Sequence, residues 1–435
     1  MRIQHHLSAV PWFVLVGALV LVLLAFLMVP RRSRLYMTLS FSVFWLAIAQ
    51  FTGLGAVSSF AKVTTIVAYG ATAVAALEHP GRRRDLSWLV WARLGLALFT
   101  VPFVLTVRDL PLALALRAQW VFLCLSAILV VRTFVDLEAI ERTVRALTIG
   151  SALAVGVGLV SFFLEGSDAI DVFGRFRPFG ASPNQIGIAF ALAIPLGSHR
   201  FLRAVRRRDR LALLLLVGAA SFLVIMTASR SSVVLGLGML LMVATERLRR
   251  SVSVLVLLAA IALSAWYAGL QPETNLERME SLEGNRTEIL ESYVERSVEQ
   301  QLVLGLLQTN GQSVLVDEVI GAHPHNAYVY QLYLGGLAVF LSEFAMTIAT
   351  LFYLIYLRRR RDRWQAGPAY GSLVLAFVLA AHAHGFVNGA IQYPNSAWAW
   401  LYVFFGSWVL ADGRQMASSA RTTEALHPRS VNETA

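Results

Sequence analysis

The chain has 435 residues, of which 57% are hydrophobic and only 14% charged, with a formal net charge of +11. Soluble domains carry roughly 25% charged residues, so an ordinary soluble enzyme is excluded. The positive charge does not argue for nucleic acid either. The basic residues lie in short clusters between apolar runs, at Arg31 to Arg34, Arg82 to Arg84, Arg206 to Arg210, Arg247 to Arg250 and Arg358 to Arg363. That is the positive-inside signature of a polytopic membrane protein.

In chain order, the first apolar run, Val10 to Val29, has no small-residue cleavage site and leads directly into Arg31-Arg32-Ser33-Arg34, so it reads as a retained anchor. Further runs, among them Leu54 to Leu77, Leu211 to Met226, Val252 to Leu270 and Leu332 to Leu357, reach or approach the ~20 residues that cross a bilayer core. The expected fold is all-α, a polytopic membrane bundle of about 12 to 13 transmembrane helices with one larger extracytoplasmic helical loop. The Met37 to Gln50 run is short, and strict alternation puts residue 1 outside. Cys124 is the sole cysteine, which excludes an intrachain disulfide and a cysteine metal site. The polar stretch Gly413 to Ala435 is expected to be a disordered cytoplasmic tail behind a membrane domain of residues 1–412.

Placing every basic cluster on the cytoplasmic side fixes the other loops by alternation. Three segments then lie outside: Glu165 to Gln185, the Thr227 to Ser232 turn, and the long polar stretch Gln271 to His325. Within the last, Thr287 to Leu307 has helical rhythm: Ile289, Leu290, Tyr293, Val294, Val298, Leu302 and Leu306 oppose Glu288, Glu291, Glu295 and Glu299.

The groups able to do chemistry gather in these segments. His325 stands where the long loop meets the next span, between Pro324 and Asn326, a good helix N-cap, so the imidazole is presented in a fixed place. Histidine titrates near neutral pH and can take a proton from a hydroxyl, although a lone histidine is more often a cap or interface group. His323 lies farther into the loop, while His382 and His384 lie in a late apolar run and face the bundle interior by default. Arg230, Arg278, Arg286, Arg175 and Arg177 fall outside, against the charge bias. Guanidinium forks bind phosphate oxygens bidentately, so several arginines beside a base point to a phosphate- or diphosphate-bearing ligand. Nearby glutamates offer Arg278 and Arg286 the alternative of surface ion pairs. The sequence has no Walker-type loop, no HExxH or CxxC pattern and no extracytoplasmic Asp-x-Asp. Leaving-group charge then falls to arginine, with no metal and no cofactor expected.

These residues resemble the O-antigen ligase and polymerase superfamily, membrane glycosyltransferases that use undecaprenyl-diphosphate-linked glycans. The resemblance rests on Ser229-Arg230 opening a helix, on Gly284-Asn285-Arg286 before a short amphipathic helix, and on His325-Asn326-Ala327-Tyr328 followed by Gln331 and Gly335-Gly336-Leu337. Arg177-Pro178-Phe179-Gly180 with Pro183-Asn184 looks like the family's earlier outer loop. Order and spacing agree from about Arg175 to Leu357, and Ile289-Leu290 stand where many relatives carry a tryptophan. The resemblance implies a GT-C-like enzyme of the bacterial inner membrane whose active site faces the periplasm. It would move a glycan from undecaprenyl diphosphate to an acceptor hydroxyl, lipid A-core in a ligase, with inversion. On that reading His325 is the base and Arg230 and Arg286 hold the diphosphate. Arg175, Arg177, Arg278, Asn326 and Tyr328 contact substrate. The partners are the lipid-linked donor, the lipid A-core or glycan acceptor and membrane lipids, with no nucleic acid. A polymerase of the same superfamily is the alternative. A lipid-linked glycan transporter or flippase is the alternative of another class, and it would use charges inside the bundle such as Arg93 and Arg117.

Overall fold

The structure, a computed structural model, describes residues 26–102, 104, 110–171, 174–244, 287–299, 302–305, 320, 324, 326–387 and 396–426. These residues are helical with short connections. The order is α1 (Arg31–Ile48), α2 (Ala56–Glu78), α3 (Trp88–Phe99), α4 (Leu110–Arg132), α5 (Leu137–Glu165), α6 (Pro183–Ala191) and α7 (Ala193–Arg203). There follow α8 (Arg207–Met226), α9 (Arg230–Ala244), α10 (287–299), α11 (Ala327–Arg359), α12 (Gly367–Val387) and α13 (Ala397–Leu426).

Five of the described helices, α2, α4, α5, α8 and α11, are long and apolar enough to cross a bilayer. Apolar side chains face outward as well as inward, and many small hydroxyl side chains are buried. Phe352, Leu215 and Val234 are each more than 60% exposed, whereas Thr65, Thr72, Ser126 and Thr143 are fully buried. Interior hydroxyls tie helices together, as between Ser42 and Thr72 (2.9 Å) and between the Trp400 indole and Ser126 (2.9 Å). Apolar groups facing outward and hydrogen-bonding groups facing inward suit a hydrocarbon surround, where packing and interhelical hydrogen bonds drive association. This is a multi-pass membrane protein.

Caps set the element boundaries. The Asp136 carboxylate accepts from the Ala139 N–H (2.7 Å) and starts α5, and Pro183 occupies the first turn of α6. α13 continues through Leu426, so residues 413–426 are helical where an irregular tail was expected. The stretch after Asp412 has no proline before Pro428 and no glycine after Gly413 as far as Leu426, so it lacks the strong helix breakers.

Side-chain contacts sort the helix ends into two groups. At one end Arg34 pairs with Glu78 (2.6 Å), the Arg84 N–H bonds the Arg132 carbonyl (3.0 Å), and Tyr370 donates to Glu141 (2.7 Å). Three of the basic clusters, at 31–34, 82–84 and 358–363, meet the described chain here. At the opposite end Thr52 donates to the Gly180 carbonyl (2.6 Å) and Phe176 N–H to that of Met226 (2.8 Å). Among the described residues, these basic clusters thus gather at one end and the 165–185 segment and 227–232 turn at the other.

Candidate functional site

At the end opposite the basic loops, the segment after α5 folds back on itself. Ile170 bridges to Phe176, and Pro178–Gly180 makes a single 3₁₀ turn. Arg175 stitches this segment to its surroundings. Its Nη2 donates to Asn184 Oδ1 (2.7 Å), its Nε to the Thr227 carbonyl (3.3 Å), and its own N–H bonds Asp171 (3.0 Å). The turn joining α8 to α9 is therefore held against the first outer segment, and Arg230 opens α9 within that assembly. Ser229 beside it is buried, its hydroxyl 2.8 Å from that of Ser232.

Arg177 contrasts with Arg175. Its backbone is anchored by a 2.6 Å bond to the Ala169 carbonyl, while its side chain is exposed and makes no ion pair among the described residues. Two non-glycine residues with positive φ flank these arginines: Phe179 (43°), two residues after Arg177, and Ala228 (47°), two before Arg230. Such conformations cost of order 1–3 kcal/mol and collect where surrounding structure enforces a geometry.

A second group forms at the start of α11. Asn326 caps the helix as expected, its Oδ1 accepting from the N–H groups of Tyr328 (2.9 Å) and Val329 (3.1 Å). Tyr328 reaches across to α12, its hydroxyl 3.1 Å from Nδ1 of His382. His382 in turn meets the edge of Tyr402 on α13 (5.3 Å between centroids). Two residues on, and on the other side of α12, His384 stacks with Trp398 (6.0 Å), whose indole donates to the Ile188 carbonyl of α6 (3.0 Å). Both histidines are buried in the bundle, as their apolar context predicts. Through α6 this layer joins the Asn326–Tyr328 group to the Arg175 group.

The outer helix α10 lies on the same region. Tyr293 is fully buried and meets Tyr333 of α11 edge to face at 4.9 Å. α11 is broken at Gly336 (φ 60°, ψ −163°), and the N–H groups freed there, Leu337 and Ala338, bond the carbonyls of Leu302 (2.8 Å) and Val303 (3.1 Å). The outer loop thus supplies the acceptors that the broken helix lacks. α10 is described through residue 299, and 302–305 form this turn where helix was expected to continue to Leu307.

Of the residues singled out by sequence, Arg175, Arg177, Asn326 and Tyr328 are described, and the backbone of Arg230 with them. His325, Arg286, Arg278 and His323 lie outside the described residues. Sequence reasoning missed the Tyr328–His382 pair, whose members are 54 residues apart. Compared with models of protein families the sequence matches none, and no curated protein sequence matches it significantly.

Proposed function

We propose that the protein is an O-antigen ligase-like glycosyltransferase working at the periplasmic face of the bacterial inner membrane. His325 takes the proton of an acceptor hydroxyl. The acceptor oxygen bonds to the anomeric carbon as the bond to the diphosphate oxygen breaks, so configuration inverts. The electron pair leaves on undecaprenyl diphosphate, whose charge is met by Arg230 and Arg286, with Arg177 and Arg278 as further contacts.

The observation that supports this best is the Asn326 cap. It fixes the backbone immediately after His325 at the bundle end that also carries Arg177 and the start of α9. The docking of α10, whose described part starts at residue 287, next to Arg286 in sequence, against Tyr333 of α11 lends a second support. The roles of Arg175 and Asn326 shift on this reading. Both hold backbone in place, and Tyr328, bonded to His382, holds the first turn of α11.

The test is coupled turnover: purified protein, lipid-linked glycan and acceptor should yield transferred glycan and free polyprenyl diphosphate. His325→Ala and Arg286→Ala should each lower this by about 100-fold or more. Undiminished turnover in both variants removes the assignment. In cells, loss of a ligase leaves long lipid-linked chains, whereas loss of a polymerase leaves single repeats. The lining of an internal cavity by Arg93 and Arg117 favours a transporter as the second reading. It predicts glycan movement between leaflets of a proteoliposome with no coupled product.

A further inference from the structure

Between α3, α4, α11 and α13 lies a partly open cavity of about 70 Å³ lined by Arg93, Arg117, Gln331 and Glu343, with Trp120 and Tyr402 among its walls. Arg93 is 3% exposed and lies over the Tyr402 ring at 4.9 Å. Among the described residues its hydrogen bonds are long, 3.5 Å to the Tyr402 carbonyl and 3.5 Å to Thr350 Oγ1, and its Nε has no partner there. α13 presents Gly406 to this guanidinium, and a Cβ there would stand 2.6 Å from Nη1. Gln331 is 7% exposed with Oε1 unpartnered, and Oε2 of Glu343 is buried and unpartnered too. Among the described residues no ion pair joins Arg93, Arg117 and Glu343.

Charged groups held inside a bundle are normally paired with each other or with a ligand. Here two guanidiniums face one carboxylate, so positive charge is left over. The remaining polar atoms, Glu343 Oε2 and Gln331 Oε1, are acceptors that need a donor. A ligand that answers both demands carries negative oxygens and at least one O–H. The space, several waters at about 10–15 Å³ of centre-accessible volume each, suits a compact tetrahedral group.

We propose that this cavity binds a protonated phosphate-type oxyanion, with its charged oxygens on Arg93 and Arg117 and its P–OH donating to Glu343 or Gln331. Sulfate, which has the charge and no proton, is refused because its oxygens meet the Glu343 carboxylate, which can only accept. The group is either free phosphate or the phosphomonoester head of a membrane lipid. The inference stands apart from glycan transfer, and its readout is binding alone.

The full chain in phosphatidylcholine nanodiscs tests it in two arms. In the first, radiolabelled inorganic phosphate and sulfate are titrated. In the second, the discs contain phosphatidic acid and native mass spectrometry counts retained lipid. Either phosphate is held roughly tenfold or more tighter than sulfate, which assigns a free ion, or phosphatidic acid is retained while free phosphate is not, which assigns a lipid head. In both cases Arg117→Gln weakens binding by about tenfold or more, and Arg117→Lys by less. Glu343→Gln keeps the fold by isosteric replacement and removes the discrimination against sulfate, because an amide can donate. Three outcomes overturn the proposal: no binding of either probe, equal binding of sulfate, or binding lost in Arg177→Gln and kept in Arg117→Gln, which places the anion at the bundle end.

Discussion

Arg175 and Arg177 look equivalent in sequence, two guanidiniums in one outer loop, yet they have different work. Arg175 is consumed by Asn184 and the Thr227 carbonyl, so its charge serves as a clamp between two connections. Arg177 leaves its side chain in solvent on a fixed backbone. Replacing Arg175 by alanine should therefore cost about 1.5–3 kcal/mol, read as a lower unfolding midpoint in detergent. Arg177→Ala should stay within about 0.5 kcal/mol of the parent while lowering coupled turnover. Equal destabilisation by the two changes would defeat this division. Sequence could show that arginine was present outside. It could not show which was already partnered, since that depends on a turn fifty residues further along the chain. Asn326 was legible because a cap acts within three residues of itself. The links from Tyr328 to His382 and from Arg93 to Tyr402 leave no local trace, being 54 and 309 residues apart.

Among the elements, α11 is the informative one. A break at Gly336 would leave a fresh helix start with unsatisfied N–H groups near the membrane, where each is costly. The turn at 302–305 supplies the acceptors, and it comes close enough only because both partners are glycine. A Cβ on Gly336 would stand 2.5 Å from the Gly305 nitrogen, and one on Gly305 would stand 2.4 Å from the Gly336 nitrogen. Gly336 also has the extended positive-φ backbone that is essentially confined to glycine. Gly336→Ala should cost about 1–3 kcal/mol in strain and free the outer loop. Limited proteolysis within 271–325 should then accelerate, with unchanged cleavage counting against the clasp. The amphipathic rhythm of the loop helix was readable as a 3.6-residue period. The turn at 302–305 was not, because these residues give up helix for a contact with a distant backbone.

On the scale of the whole molecule, charge placement carried most of the fold into the sequence. Clusters of arginine assigned the loops to two ends, and the contacts of Arg34, Arg84, Glu141 and Asp412 gather accordingly. What the clusters could not reveal is how the basic end is locked. The Asp412 carboxylate accepts from Arg84 and from the indoles of Trp364 and Trp408 (2.7 Å each), all in a largely buried setting. Asp412→Ala would leave the Arg84 guanidinium with only the Val131 carbonyl, and two indole N–H groups without an acceptor, a loss of about 3–5 kcal/mol. Asp412→Asn, which retains one acceptor oxygen, should lose less. Denaturation of both variants in matched detergent orders them, and equal loss would show that the negative charge, not the acceptor count, is what matters.

That carboxylate also sets a timetable for biosynthesis. Arg84 leaves the ribosome 328 residues before Asp412 does. Every intervening helix must be inserted while the N-terminal portion still holds an unmatched cation at its membrane edge. The bundle therefore becomes self-sufficient only when α13 arrives. A chain interrupted before that helix should be recognisable to membrane quality control by the same exposed arginine that, in the finished protein, is scarcely accessible.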